Sequence, residues 1–185
     1  AAAKFPNGTC PSEYVDNVRR VLLGGFDVLD VKEQLPLHDV NDPIFSLSAG
    51  NLSGLRFLNL SGDVKCLCSA NESITNFVAV APRIKGHYTW RSRGSEPLSG
   101  ELVVEGREAT FTGRMRMRGT AVRSASLSFS HLTAVSVHVD SMSSFSVPGA
   151  RIMALGNRAF NKAVRKTTRD VVSPALKRAL QTVKQ

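Results

Sequence analysis

The sequence predicts an α+β fold: a curved antiparallel β-sheet wrapped around a long C-terminal helix that pairs with a short N-terminal helix. Three features predict it. Apolar residues recur at three- and four-residue steps over residues 146–185, they alternate with polar residues over 44–142, and a short helical stretch precedes both. Because all strands lie between two helices, one apolar sheet face must cover both of them. At 185 residues and 42% hydrophobic content, the chain is expected to form a single domain, residues 1–185, with a sizeable core.

The C-terminal helix is the element that fixes the rest. Ser146 suits an N-cap, Pro148 falls in the first turn, and the later breakers are Gly156 and Pro174. At about 1.5 Å per residue such a helix spans roughly 50 Å. Phe160, Val164, Thr167, Val171, Ala175, Ala179 and Val183 are mostly four apart. Each four-residue step overshoots a full turn by about 40°, so the apolar stripe winds around the rod. A flat sheet would cover only part of it, which is why a curved sheet is expected. Pro174 removes one helical hydrogen bond and predicts a kink.

The first helix is expected over residues 10–23, with Pro11 at its first position, Glu13 near the positive end of the helix dipole, and Gly24-Gly25 ending it. Residues 26–40 read as an irregular, partly extended connection, closed by Pro36 and Asp42-Pro43. The alternating stretch then gives several half-buried antiparallel strands. His131 shares parity with Leu127, Phe129 and Val135 and is expected to face inward or lie at the rim. Tyr88 and Trp90 also share parity and read as strand packing or a rim.

The long helix carries Arg151, Arg158, Lys162, Arg165, Lys166, Arg169, Lys177, Arg178 and Lys184 against a single acid, Asp170. That surplus of eight nearly accounts for the formal net charge of +9. Arg151, Arg158, Lys162, Arg165, Lys166 and Arg169 fall on one side of the helical wheel, either as a solvated face or as a stripe, with Arg158, Lys162, Arg165, Lys166 and Arg169 as its anion-binding residues, for phospholipid head groups, sulfated glycan or lipopolysaccharide. Arg114, Arg116 and Arg118 form a second basic row on one strand face. Nucleic acid is disfavoured as a partner. Aromatic content is only 6%, no zinc spacing occurs, and the cations sit on a helix whose other face is committed to a core. No apolar run approaches the roughly 18 residues of a membrane span.

Asn-X-Ser/Thr triplets stand at Asn7, Asn51, Asn59 and Asn71, and none follows. Four in so short a stretch point to a secreted, extracellular glycoprotein, and Ala1-Ala2-Ala3 read as the end of a processed signal-peptide precursor or an expression scar. Cys66 and Cys68 lie two apart on one strand, so their side chains point the same way. Either can bridge to Cys10, and the other is left over, free or available for an intermolecular bond. Two thiols without a histidine at ligand spacing do not make a metal site, and no cofactor is implied.

The run Ala163-Val164-Arg165, then Val172-Ser173-Pro174-Ala175-Leu176-Lys177-Arg178-Ala179-Leu180, resembles the C-terminal helix of the group-seven mite allergens. Gly50-Asn51-Leu52-Ser53-Gly54-Leu55 and Gly62-Asp63-Val64 match that family's plan in order and spacing, as does the early helix followed by an acidic link. That family is similar in fold to half of the bactericidal/permeability-increasing protein and to the juvenile-hormone-binding and takeout proteins, together the tubular lipid-binding superfamily. The resemblance implies a super-roll with a hydrophobic groove for an apolar or lipid-like ligand. This chain differs from the mite proteins in its basicity, its sequons and its three cysteines.

No nucleophile elbow, phosphate loop, zinc-protease motif or paired-carboxylate arrangement occurs, so an enzyme is not expected. The groove is expected to be lined by Phe77, Val104, Phe111, Met115, Met117, Leu127 and Phe129 against Phe160, Val164, Val171, Leu176 and Leu180. Met142 and Met153 join Met115 and Met117 as adaptable lining or as ordinary core. The reading is therefore a secreted, non-enzymatic binder or carrier of a hydrophobic small molecule or lipid. Its rival is a secreted effector with a filled interior, whose basic face engages a protein or a polyanion such as a glycan or lipopolysaccharide.

Overall fold

The structure, a computed structural model, describes residues 8–140 and 147–183; Asn7, Met142, Ser146 and Lys184 lie outside the described residues. In chain order the elements are β1 Gly8–Thr9, α1 Ser12–Asp27, β2 Gln34–Pro36, β3 Val40–Asn41, β4 Phe45–Ser53, β5 Asn59–Cys68, β6 Ser73–Ser92, β7 Ser99–Arg118, β8 Ala121–His131, β9 Ala134–Val139, α2 Val147–Thr167 and α3 Ser173–Thr182. All strand pairs are antiparallel, and the nine strands form one sheet.

Two 20-residue strands form the spine of this sheet. β6 and β7 pair with each other along nearly their whole length, from Ser73↔Met117 to Arg91↔Ser99. On its other side β6 holds β5 along its first half and β4 along its second, while β7 holds β9 and then β8. Both spine strands change their inward parity at the same level. β6 buries Phe77, Ala79 and Ala81 and then Ile84, Gly86 and Tyr88, with Pro82 and Arg83 both exposed between them; β7 does the same across Arg107 and Glu108. Pro82 has no N–H for the ladder, and Glu108 opposite it takes a left-handed φ of +49°. The sheet thus turns a corner there and keeps its apolar face inward on both sides.

α2 and α3 are one helical run joined by a π-helical turn, Thr168–Val172, immediately before Pro174. The sequence predicts a kink at this proline. The missing N–H falls at this wider turn, in which Thr168 Oγ1 donates to Val164 O at 2.6 Å. Ile152, Gly156, Phe160, Val164, Thr168, Val172, Leu176 and Leu180 are all buried, a strict four-residue row. Past Val164 this row departs from the expected Thr167, Val171, Ala175, Ala179 and Val183, of which Val171 is exposed and Thr167 and Val183 are half-buried, but it winds in the same way, and the contacts move along the rod. α2 meets β9, β7 and β4, the π turn meets β8, and α3 meets β8 and α1. A curved antiparallel sheet, not closed into a barrel, therefore wraps a long C-terminal rod. This is the super-roll.

Closure of the open edge comes from the rod itself. Among the described residues β8 pairs on one side only, with β7. On its other side Ser173 Oγ accepts from Leu127 N at 2.8 Å and donates to Leu127 O at 3.1 Å, and Gln181 Nε2 donates to Val122 O at 3.2 Å. The edge is covered rather than left as a template for aggregation. Ser173→Ala would strand a buried N–H, and it is expected to cost about 1–3 kcal/mol in denaturant unfolding.

Two expectations are corrected. α1 does not stop at Gly24-Gly25 but runs to Asp27, burying Phe26. A Cβ built at Gly25 would lie 2.4 Å from Leu180 Cδ2, so this glycine permits a close crossing with α3 and does not end the helix. His131 is exposed, its Nδ1 3.2 Å from Ser130 Oγ. The register slips between Thr110↔His131 and Phe111↔Phe129, which turns His131 to the face opposite Phe129.

Candidate functional site

Beside the buried row on the rod runs a second four-residue row, Ala159, Ala163, Thr167 and Val171, which is half-buried except for exposed Val171. Facing it is the crossing between β2 and β3. Leu37 N donates to Gly50 O at 2.9 Å and pins this crossing to β4. Gly50 is required there, because a Cβ would come within 2.6 Å of the Tyr88 ring and 2.8 Å of Leu37 Cβ. The register of β4 slips between Ser48 and Asn51, with Ala49 at a φ of +48°, which brings Gly50 into this contact.

Between the crossing and the rod lies a crevice of about 360 Å³, near the lower end of small-molecule sites. Its apolar lining is Leu37, Val40, Tyr88, Ala159, Ala163 and Val171. Lys162, Lys166, His38, Asp39 and Asp170 supply the polar part of the lining. Lys166 Nζ lies 3.1 Å from His38 Nε2. Arg169 Nε donates to Asp170 Oδ1 at 2.8 Å, and this bond holds the Asp170 carboxyl below the usual range.

Tyr88 is the chemically distinctive member. It is 1% exposed, and its phenol has no hydrogen-bond partner among the described residues. Burial pushes its pKa up to about 12. The neutral phenol therefore stabilises the folded chain fully below pH 10, the unfolded value, and that contribution is lost as pH rises from 10 to about 12. Ultraviolet titration is expected to show part of the tyrosine signal ionising well above pH 10 in the native chain and near pH 10 after unfolding.

The residues expected to line a groove are brought together, but as packed interior. Phe77, Val104, Phe111, Met115, Met117, Leu127, Phe129, Phe160, Val164, Leu176 and Leu180 belong to one core cluster, none of them more than 6% exposed. Val171 alone lies on the crevice. Phe111 meets Phe129 edge-on at 5.6 Å. Met153 packs against a smaller cluster built on Phe45, Leu47, Tyr88, Trp90, Leu102 and Ile152.

The basic stripe is divided in its contacts. Lys162 and Lys166 line the crevice, Arg165 lies 5.3 Å over the Phe129 ring, Arg169 pairs with Asp170, and Arg158 is exposed. Asn59 and Asn71 are exposed, and Asn51 is half-buried within β4. Cys10 is bonded to Cys68, which leaves Cys66 as a buried thiol. The three sulfurs lie within 4.8 Å of one another, but two of them are committed to the disulfide.

Sequence reasoning put Val171 in an interior groove and Lys162 and Lys166 on an anion-binding stripe, read Tyr88 as strand packing or a rim, and did not single out Leu37, Val40, Ala159 or Ala163. No local signal marks them, since three distant segments must meet to form the crevice.

No protein-family model matches the chain, and no curated protein sequence matches it. Solved structures with a similar arrangement include lipopolysaccharide binding protein, at 10% identity and a TM-score of 0.33 over 89% of this chain. Takeout 1 of Epiphyas postvittana is another, at 14% identity and a TM-score of 0.36, covering 90% of this chain and 86% of that one. The chain spans only 38% of the lipopolysaccharide binding protein. At such scores the site rests on this chain's own geometry. Among the described residues no helix is long and apolar enough to cross a membrane.

Proposed function

We propose that the chain is a secreted, glycosylated, non-enzymatic carrier of a lipid-like ligand, held in the crevice between the β2–β3 crossing and the rod. The observation that carries this reading is the Tyr88 phenol, without a partner among the described residues, at a crevice whose lining combines apolar residues with Lys162, Lys166, His38, Asp39 and Asp170. Among the described residues no buried side-chain oxygen lacks a partner, so this hydroxyl opens to the crevice, where a ligand acceptor would take the place of solvent. Leu37, Ala163 and Val171 would take the apolar body of the ligand, and Lys162 and Lys166 would lie beside its polar end.

Titration with a fluorescent fatty acid tests this. Ala163→Trp, which fills the crevice, is expected to weaken binding about tenfold or more, the equivalent of about 1.4 kcal/mol. Tyr88→Phe should weaken it roughly twofold to tenfold, the worth of one hydrogen bond. Met115→Leu in the interior should leave it unchanged. The reverse pattern, with Met115→Leu damaging and Ala163→Trp silent, would move the ligand to the interior.

A second reading, a polyanion-binding face, is favoured by the outer side of β7. Exposed Arg114 and Arg116 stand in register with Ser126 and Ser124, and Arg116 pairs with Glu72. Salt-sensitive retention on heparin by a chain that takes up no fatty acid would select it.

A further inference from the structure

Cys10, Cys66 and Cys68 form a group that the crevice does not use. Their three side chains are buried, with Tyr14 and Val15 packed against them. β1 pairs Gly8 with Cys68 and Thr9 with Leu67, and Cys10 N then donates to Cys66 O at 3.2 Å. The backbone ladder therefore sets Cys10 opposite Cys66, while the covalent bond runs to Cys68. Cys66 Sγ lies 2.7 Å from Cys10 Sγ. Strand geometry puts Cys66 and Cys68 on one face, so both sulfurs reach the same partner. Thr75 Oγ1 donates to Cys66 Sγ at 3.5 Å, and this hydrogen bond favours the thiolate, against the larger effect of burial, which pushes the thiol pKa up.

We propose that these three cysteines are an internal thiol–disulfide exchange site, through which the domain interconverts Cys10–Cys68 and Cys10–Cys66 isomers. The Cys66 thiolate attacks Cys10 Sγ, and a Cys10–Cys66 bond forms as the Cys10–Cys68 bond breaks. Cys68 leaves with the electron pair and takes up the proton that Cys66 gave up. Nothing is oxidised or reduced overall, and no outside reagent enters. The exchange moves the covalent anchor of α1 two residues along β5 and transfers the free thiol to the strand end beside the Ser69 turn. Burial keeps the exchange intramolecular, where the attacking sulfur is already in place.

The test uses the whole oxidised chain, held at about pH 9.5, above the ordinary thiol value of about 8.5 because burial raises that of Cys66, then quenched with acid and alkylated while denatured in acid with a maleimide. Fragment mass spectrometry locates the label within the peptide carrying both Cys66 and Cys68. The expected result is label on both positions in separate molecules. Label on Cys66 alone would overturn the proposal. A pair of variants provides a check that does not depend on the wild-type isomer ratio. Cys66→Ser is expected to keep Cys10–Cys68, and Cys68→Ser to form Cys10–Cys66. Two free thiols in Cys68→Ser, with the disulfide intact in Cys66→Ser, would also overturn it.

Discussion

Phe160→Ala is expected to destabilise the domain by about 3–5 kcal/mol, read as a lower denaturant midpoint at unchanged slope. The ring is 0% exposed and lies at the middle of the buried four-residue row on the rod. It sits directly over Gly86 of β6, where a Cβ would come within 2.5 Å of Phe160 Cδ2. Because Gly86 has no side chain to move into the gap, truncation leaves a cavity between rod and sheet. Limited collapse is what places a large-to-small change at the upper end of its range. Val171→Ala, three turns along at the exposed end of the neighbouring half-buried row, should change stability by less than about 0.5 kcal/mol. The contrast separates loss of the sheet–rod contact from a general loss of helix propensity.

Cys10→Ser is expected to cost about 4 kcal/mol, the chain-entropy value for a bond that closes 58 residues of separation. The bond ties the start of α1 to the end of β5, and α1 in turn packs on α3. Its loss should therefore loosen the C-terminal part of the rod, visible as faster hydrogen exchange at Ala179 and Leu180. Cys66→Ser should cost far less than Cys10→Ser, since it leaves the bond in place. Equal losses in the two variants would show that packing of Cys66, rather than the cross-link, supplies the stability.

What could be read from the sequence follows from what each feature depends on. The winding row on the rod depends only on spacing along one helix. Strand alternation is equally local, and together they gave the rolled sheet. Features that need a partner from elsewhere were lost. Gly24-Gly25 looks like a helix stop unless Leu180 is known to lie against it. His131 looks inward unless the slip opposite Thr110 is known. The pairing of Cys10 stayed open because Cys66 and Cys68 share one strand face. The crevice was hidden for the same reason: Leu37, Tyr88 and Ala163 are far apart in sequence and meet only where Gly50 lets β4 and the crossing come together. Apolar residues suited to a ligand groove proved just as suited to packing on each other, and alternation does not distinguish the two.

The most direct measurement is a crystal structure of the chain grown with a brominated fatty acid, with the bromine located by anomalous scattering. The account predicts one strong peak in the crevice, between Leu37 and Ala163, with the acid's polar end toward the Tyr88 hydroxyl or Lys166. A peak among Phe111, Met115 and Phe129, with those side chains pushed apart, would contradict it.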